Sequence, residues 1–163
     1  MIKHIKEKII IYEKLIKANT NDLDKVYAMG YDVWGEGKTY QEHLEECRSS
    51  VKYKKGTWYI LSVDGEAVSS CILYYLTGNT IGIGSLATVS EKRGLGYASS
   101  LLNEILNRKK DYLYFLWSDI ATTLYESVGF LVLEDVYQTH KGSSLMYYPS
   151  NYKIDFDNLP NYF

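Results

Sequence analysis

The sequence predicts an α/β domain built on a mixed sheet, and three observations predict it. Two apolar runs, Trp58 to Val63 and Ala67 to Leu76, flank Asp64-Gly65 and read as an antiparallel hairpin, which a turn at Thr77-Gly78-Asn79 extends into a meander. A third apolar run from Thr80 passes through Arg93-Gly94-Leu95-Gly96-Tyr97-Ala98 into a helical pattern that ends near Asn107. Tyr112 to Trp117 is then continuously apolar, as in a strand buried on both faces, so it should lie parallel to the strand before the helix.

The elements follow in order. Ile9 to Ile16 reads as a first strand, and Asn19-Thr20-Asn21-Asp22 offers several helix caps in succession. Leu23, Val26, Tyr27, Gly30, Val33 and Trp34 then carry one apolar stripe until Gly35-Glu36-Gly37 breaks it. Thr39-Tyr40-Gln41-Glu42 is a capping box, because the threonine hydroxyl can bond the third helical amide while the glutamate reaches back. Tyr40, Leu44, Cys47 and Val51 are the expected buried face of that helix, which Gly56 stops. Its acidic residues come early and its basic ones late, as the dipole favours, and they make a solvated face. After the strand at Tyr112, Ser118 or Asp119 should cap a short helix whose face is Ala121, Leu124, Tyr125 and Val128, with Gly129 ending it. Leu131 to Gln138 and Ser144 to Tyr148 complete the sheet around Lys141-Gly142. The 163 residues are expected to form one domain, 1–163, with 149–163 a C-terminal tail whose aromatics pack partly on the surface.

The turn at the centre carries the chemistry. In the strand before it, Gly82 and Gly84 leave bare backbone that a ligand could approach. Ala98, Leu101, Leu102, Ile105 and Leu106 recur at helical spacing, so the helix should start near Gly94. Its first amides have no partner inside the helix and the macrodipole adds partial positive charge, an arrangement that attracts a phosphate or pyrophosphate. Glycine lets successive amides face one concavity. Gly94-x-Gly96-x-x-Ser99 partly echoes a dinucleotide fingerprint, but Ser90 to Arg93 separate it from the strand, and no Gly-x-x-x-x-Gly-Lys-Ser/Thr occurs.

Composition excludes several classes. A net charge of −2 gives no broad footprint for nucleic acid. The N-terminus is studded with Lys3, Lys6, Glu7 and Lys8 and no apolar run approaches bilayer length, so neither a targeting nor a membrane segment is expected and the cytoplasm is the default. Cys47 and Cys71 are isolated and expected as buried thiols, and His4, His43 and His140 make no metal-ligand spacing. Most of the 17 tyrosines should sit half-buried with the hydroxyl at water.

Arg93-x-x-Gly96-x-Ala98 matches the Arg/Gln-x-x-Gly-x-Gly/Ala signature of the GCN5-related N-acetyltransferases, and Ala121-Thr122-Thr123-Leu124-Tyr125-Glu126-Ser127-Val128-Gly129-Phe130 resembles that family's second signature, Ala-x-x-Leu-Tyr-x-x-x-Gly-Phe. From about Ile9 to Tyr148 the chain resembles this family. The resemblance implies a mixed, mostly antiparallel sheet with a central splayed parallel strand pair flanked by helices. It implies acetyl-coenzyme A as donor, with the backbone of Leu86, Ala87 and Thr88 along the pantetheine arm and the turn Arg93, Gly94, Leu95, Gly96, Tyr97, Ala98 and Ser99 around the pyrophosphate. Ser118 stands where relatives often place an asparagine that helps hold the cofactor, and Tyr125 stands where they place a general acid.

Attack by an amine on a thioester needs the amine neutral, and many relatives carry a glutamate on the central strand for that proton. This strand has none. Asp119 is best placed to take the role, with Glu36, Asp32, Glu134, His140 or a water chain as alternatives. The acceptor should meet the loop Trp34-Gly35-Glu36-Gly37-Lys38, with Trp34 and Glu36 as its contacts. The expected activity is direct acetyl transfer to a primary amine of a small molecule or amino acid, by a monomer or homodimer. The alternative is a catalytically silent coenzyme A-binding module, a sensor or scaffold; a nucleotide-binding or redox domain ranks last.

Overall fold

The computed structural model describes residues 11–163, in which seven strands form one sheet: β1 Glu13–Lys17, β2 Thr57–Val63, β3 Glu66–Tyr75, β4 Thr80–Thr88, β5 Leu113–Ser118, β6 Leu131–Val132 and β7 Ser144–Tyr148. Their order is β1-β2-β3-β4-β5-β7-β6, antiparallel throughout except for the parallel pair β4 and β5. That is the mixed, mostly antiparallel sheet the sequence predicts. Asp64 at φ 48° and Gly65 at φ 87° make the tight β2–β3 turn, both central residues being left-handed as a two-residue hairpin requires.

Helix α5, Tyr97–Arg108, crosses from β4 to β5 and lays Leu101, Leu102 and Ile105, all fully buried, on Leu61, Leu73, Ile81, Tyr114 and Leu116. Each such side chain contributes on the order of 1.5–3 kcal/mol as an upper figure. The opposite face of the sheet is covered by α1 Leu23–Met29, α2 Tyr31–Trp34, α3 Tyr40–Ser49 and α4 Val51–Lys54, which pack Val26, Tyr27, Leu44 and Cys47 on Trp58, Ile60 and Ile72. A third cluster joins Leu113, Phe115 and Trp117 of β5 to Ile154, Leu159 and Phe163.

Several sequence expectations change. The stripe from Leu23 to Trp34 is two helices, broken at Gly30, where the missing side chain leaves room for the Trp34 ring to fold back; an added Cβ would lie 2.1 Å from that ring. The Thr39 capping box forms, but His43 joins Leu44 and Cys47 on the buried face while Tyr40 and Val51 are exposed. Ser50 turns extended and caps α4, which resets the helical phase before Val51. The helix expected near Gly94 begins three residues later, at Tyr97, since both Gly94 and Gly96 hold left-handed φ, 76° and 85°. The helix after β5, α6 Thr123–Val128, is entered through Thr122 without a side-chain cap. Ser118 is the last residue of β5 instead, and Asp119 bonds other partners. Only Leu131 and Val132 of the expected Leu131–Gln138 strand pair in the sheet; Asp135–Tyr137 is a 3-10 turn. The Phe163 ring sits where a Cβ on Gly82 would be, 2.6 Å away, so the tail covers the bare backbone expected for a ligand. Residues 9 and 10 of the expected first strand lie outside the described residues.

Both cysteines are buried and unpaired. Tyr114 departs from the half-buried habit: it is 1% exposed and donates its hydroxyl to the Lys109 carbonyl at 2.7 Å.

Candidate active site

The parallel pairing of β4 with β5 runs from Thr80–Leu113 to Ile83–Leu116 and stops there. Beyond it the register of β4 against β3 shifts between Ser70 and Ile72, so that Ser85 and Leu86 pair with no strand, and Ser85 takes φ 46°. A non-glycine residue in that region bends the strand locally. The bend carries Ser85 to Thr88 away from Trp117 and opens a groove of about 600 Å³.

The groove wall is formed by Leu86, Ala87 and Thr88 on one side, the turn and first residues of α5 at one end, and Trp117, Asp119, Leu124 and Tyr125 opposite, with Trp34 at the rim. Every residue predicted to hold the cofactor, contact the acceptor or act as the first-choice acid or base lines it except Leu95, Ser118 and Glu36; of the alternative bases, Asp32, Glu134 and His140 also lie outside its lining. Leu95 points to solvent at 62% exposure, Glu36 is exposed on its turn, and Ser118 is buried with its hydroxyl donating to the Ile120 carbonyl at 2.9 Å. Ser118 therefore cannot offer that proton to a ligand without breaking a local bond. A depression of about 660 Å³ at the other end of the parallel pair lies under the tail and holds none of the predicted residues.

At the α5 end the polypeptide is shaped for an anion. A Cβ placed on Gly94 or Gly96 would meet nothing within 4 Å, so the concavity is open. Among the described residues, the amides of residues 94–99 make no turn, cap or side-chain hydrogen bond; Ser100 is the first to bond back, to Gly96, at 3.0 Å. Together with the dipole of a 12-residue helix they form an amide-lined cradle. Arg93 does not point its charge freely into this cradle. Its Nη1 and Nη2 donate to the two carboxylate oxygens of Asp32 at 2.6 and 2.9 Å, and its Nε donates to the Thr88 carbonyl at 3.0 Å. The guanidinium holds the Asp32 carboxyl below the usual range, so both stay charged at neutral pH.

Tyr125 comes from the face of α6 that packs on the core, 8% exposed with its hydroxyl at the groove. Burial pushes its phenol up to about 12, and the charge of Asp119 adds to the shift. That hydroxyl makes no hydrogen bond among the described residues. On the other side of the bend, Ser85 donates a long bond, 3.4 Å, to the Tyr53 hydroxyl, beside a small space shared by Trp34, His43 and Trp58. The Trp58 indole N–H there is buried without a partner among the described residues.

Residues 21–130 match the acetyltransferase (GNAT) family. This chain belongs to the GNAT acetyltransferase family. No curated protein sequence matches it significantly. The fold is shared with solved GNAT structures of low identity. A Corynebacterium glutamicum protein described as histone acetyltransferase HPA2 and related acetyltransferase is 17% identical, with TM-score 0.66 over 86% of this chain and 98% of that one. The ribosomal-protein-S18-alanine N-acetyltransferase of Escherichia coli is 15% identical, with TM-score 0.64 over 92% and 100%. The N-acetylglutamate synthase of Neisseria gonorrhoeae, solved with coenzyme A and N-acetylglutamate, is 18% identical with TM-score 0.62; the match spans 84% of this chain and 35% of that one.

In this GNAT chain the opened strand pair, the amide cradle and a protonated phenol stand along one groove. Sequence reasoning missed Val33, Ser85, Lys92, Trp117, Ile120 and Leu124 as groove residues. The signal for Ser85 was a lone polar residue in an apolar strand; for Trp117 none existed, since a buried strand reads the same on both faces. Among the described residues no three His, Cys, Asp or Glu side chains come together as a metal site, and no helix is long and apolar enough to cross a membrane.

Proposed function

We propose that this protein is an acetyl-coenzyme A-dependent N-acetyltransferase that moves the acetyl group directly to a primary amine of a small molecule. The observation that carries this reading is the groove itself: the parallel pair opens beside an unbonded amide cradle at one end and the Tyr125 phenol along its wall. The residues fit the donor. The cradle suits a pyrophosphate, and the unpaired stretch of β4 suits an extended, amide-bearing arm. When bound, acetyl-coenzyme A supplies a thioester carbonyl open to a neutral amine, with a thiolate as leaving group.

The chain's own groups then have separate tasks. The amides of residues 94–99 hold negative charge without moving. Tyr125 keeps its proton at neutral and mildly alkaline pH and gives it to the departing sulfur. Asp119, at the rim of the groove, accepts the proton that the amine sheds, directly or through water. Trp34, 45% exposed over the bend, contacts the acceptor. Neither nucleic acid nor a lipid surface is a partner in this reading, and the reaction belongs to the cytoplasm.

The test is appearance of free thiol from acetyl-coenzyme A in the presence of a panel of primary amines. Turnover with at least one amine is expected. Tight coenzyme A binding with no turnover across the panel would favour a silent binding module instead.

A further inference from the structure

Residues 161–163 line the depression under the tail, and from there Tyr162 reaches Asp119, a residue of the groove. Tyr162 donates its hydroxyl to Asp119 Oδ2 at 2.7 Å, and the Ser143 hydroxyl donates to Oδ1 of the same carboxylate. The Tyr162 ring lies flat on the His140 imidazole, 3.9 Å between centroids and 12° between planes, and 5.8 Å from the Trp117 ring. Trp117 in turn donates its indole N–H to the Asn161 carbonyl at 3.1 Å. Lys52 brings its ammonium 5.6 Å over the Tyr162 ring.

An exposed aspartate normally samples several rotamers and is solvated in all of them. Here two hydroxyls, 24 and 43 residues away in sequence, fix one orientation. Hydroxyls are neutral donors, so the carboxylate keeps its full charge, in contrast to Asp32, which an arginine neutralises. A carboxylate has about four lone-pair sites and two are used, so each oxygen can take another donor. Asp119 lines the groove beside Trp117, with Trp34 also in the wall, and its charge is felt at the Tyr125 phenol. A fixed anion in a groove that two indoles also line suits an ammonium, through a charge-assisted bond and cation–π attraction.

We propose that Tyr162 is a positioning residue of the acceptor site: its hydroxyl sets the Asp119 carboxylate to receive a primary alkylammonium, which is the acceptor class. This rests on the transferase reading above. The groups facing the carboxylate are Tyr162, Ser143 and, across the Tyr162 ring, Lys52 and His140.

The experiment uses Tyr162→Phe, which keeps the ring on His140 and removes only the hydroxyl, with n-butylamine and 1,4-diaminobutane as probes. The KM for amine should rise about tenfold, as expected for a lost hydrogen bond to a charged group, while the KM for acetyl-coenzyme A stays unchanged. Adding Tyr162→Phe to Asp119→Asn should cost little more than Asp119→Asn alone, because both act through one carboxylate. An unchanged amine KM, an equal loss of coenzyme A affinity, or additive losses in the double variant would overturn the proposal. Calorimetry of n-butylamine binding to the coenzyme A-loaded protein separates this from the transferase reading. If the wild type turns over no amine of the wider panel, that reading falls, yet weaker n-butylamine binding by Tyr162→Phe than by wild type still upholds the role of Tyr162. Equal binding, or none by the wild type, overturns it.

Discussion

A phenol that protonates a departing thiolate has to keep its proton at the pH where the attacking amine can lose one. Tyrosine in water ionises near 10, which leaves little margin for alkaline turnover. Burial of Tyr125 lifts this to about 12, so kcat should show no fall with rising pH up to about 10. A decline centred well below that would mean the phenol is not shielded as the structure has it. Tyr125→Phe preserves the ring that packs edge-on against Phe130 at 6.4 Å. It should lower turnover by on the order of 10²-fold with coenzyme A affinity hardly changed. Full turnover in a folded Tyr125→Phe protein would assign the proton to water. The place of Tyr125 in the groove was legible in the sequence because the signature around it is local. The partners of Asp119 were not, since they depend on how the tail returns, which no local pattern encodes.

Among the elements, the turn into α5 separates conformation from charge. Gly94 has a left-handed φ and open space around it, so Gly94→Asn adds bulk without charge, asparagine tolerating that region. Gly94→Asp adds a negative charge where phosphates would sit. Coenzyme A affinity should fall at least tenfold further for Asp than for Asn, as a repulsion near 1.4 kcal/mol implies. Equal affinities would place the anion site elsewhere. The same turn is tied to α2 through Arg93 and Asp32, both largely in solvent, so the pair adds little stability. Asp32→Asn should leave the melting temperature nearly unchanged and coenzyme A binding at least as tight, while amine KM rises a few-fold because α2 presents Trp34. A loss of coenzyme A affinity instead would show that Asp32 holds Arg93 in its working pose. The capping box, hairpin and parallel pair were readable because cap, turn and period are near-neighbour properties. The breaks at Gly30 and Ser50 were not, because a continuous helical stripe looks the same until the ring of Trp34 or the cap of α4 is placed.

The molecule as a whole carries an unusual number of shielded phenols. Tyr27, Tyr53, Tyr59, Tyr74, Tyr114 and Tyr125 are all pushed above the ordinary tyrosine value, burial being the largest cause in each, and Cys71 is pushed to about 12. In the unfolded chain these groups ionise near 10 for tyrosine and 8.5 for cysteine. The unfolded state therefore binds fewer protons than the folded one above those values, and stability falls as pH rises. That stability is complete below about pH 8.5 and is lost progressively through pH 12. Thermal melts at pH 8, 10 and 11 should show a steepening drop in melting temperature; a constant value to pH 11 would contradict the burial described.

The same burial makes the two cysteines a clock. Thiol reagents attack the thiolate, and Cys47 and Cys71 are 7% and 0% exposed with their thiols pushed up. In the folded protein they are silent toward an aromatic disulfide, so colour in an activity assay comes from released coenzyme A. In a slow incubation without substrate, colour can come only from molecules that have opened. Acetyl-coenzyme A, its sulfur capped, should retard that labelling in proportion to its occupancy of the native state, so affinity for the donor can be read from a protein that is given no amine to acetylate.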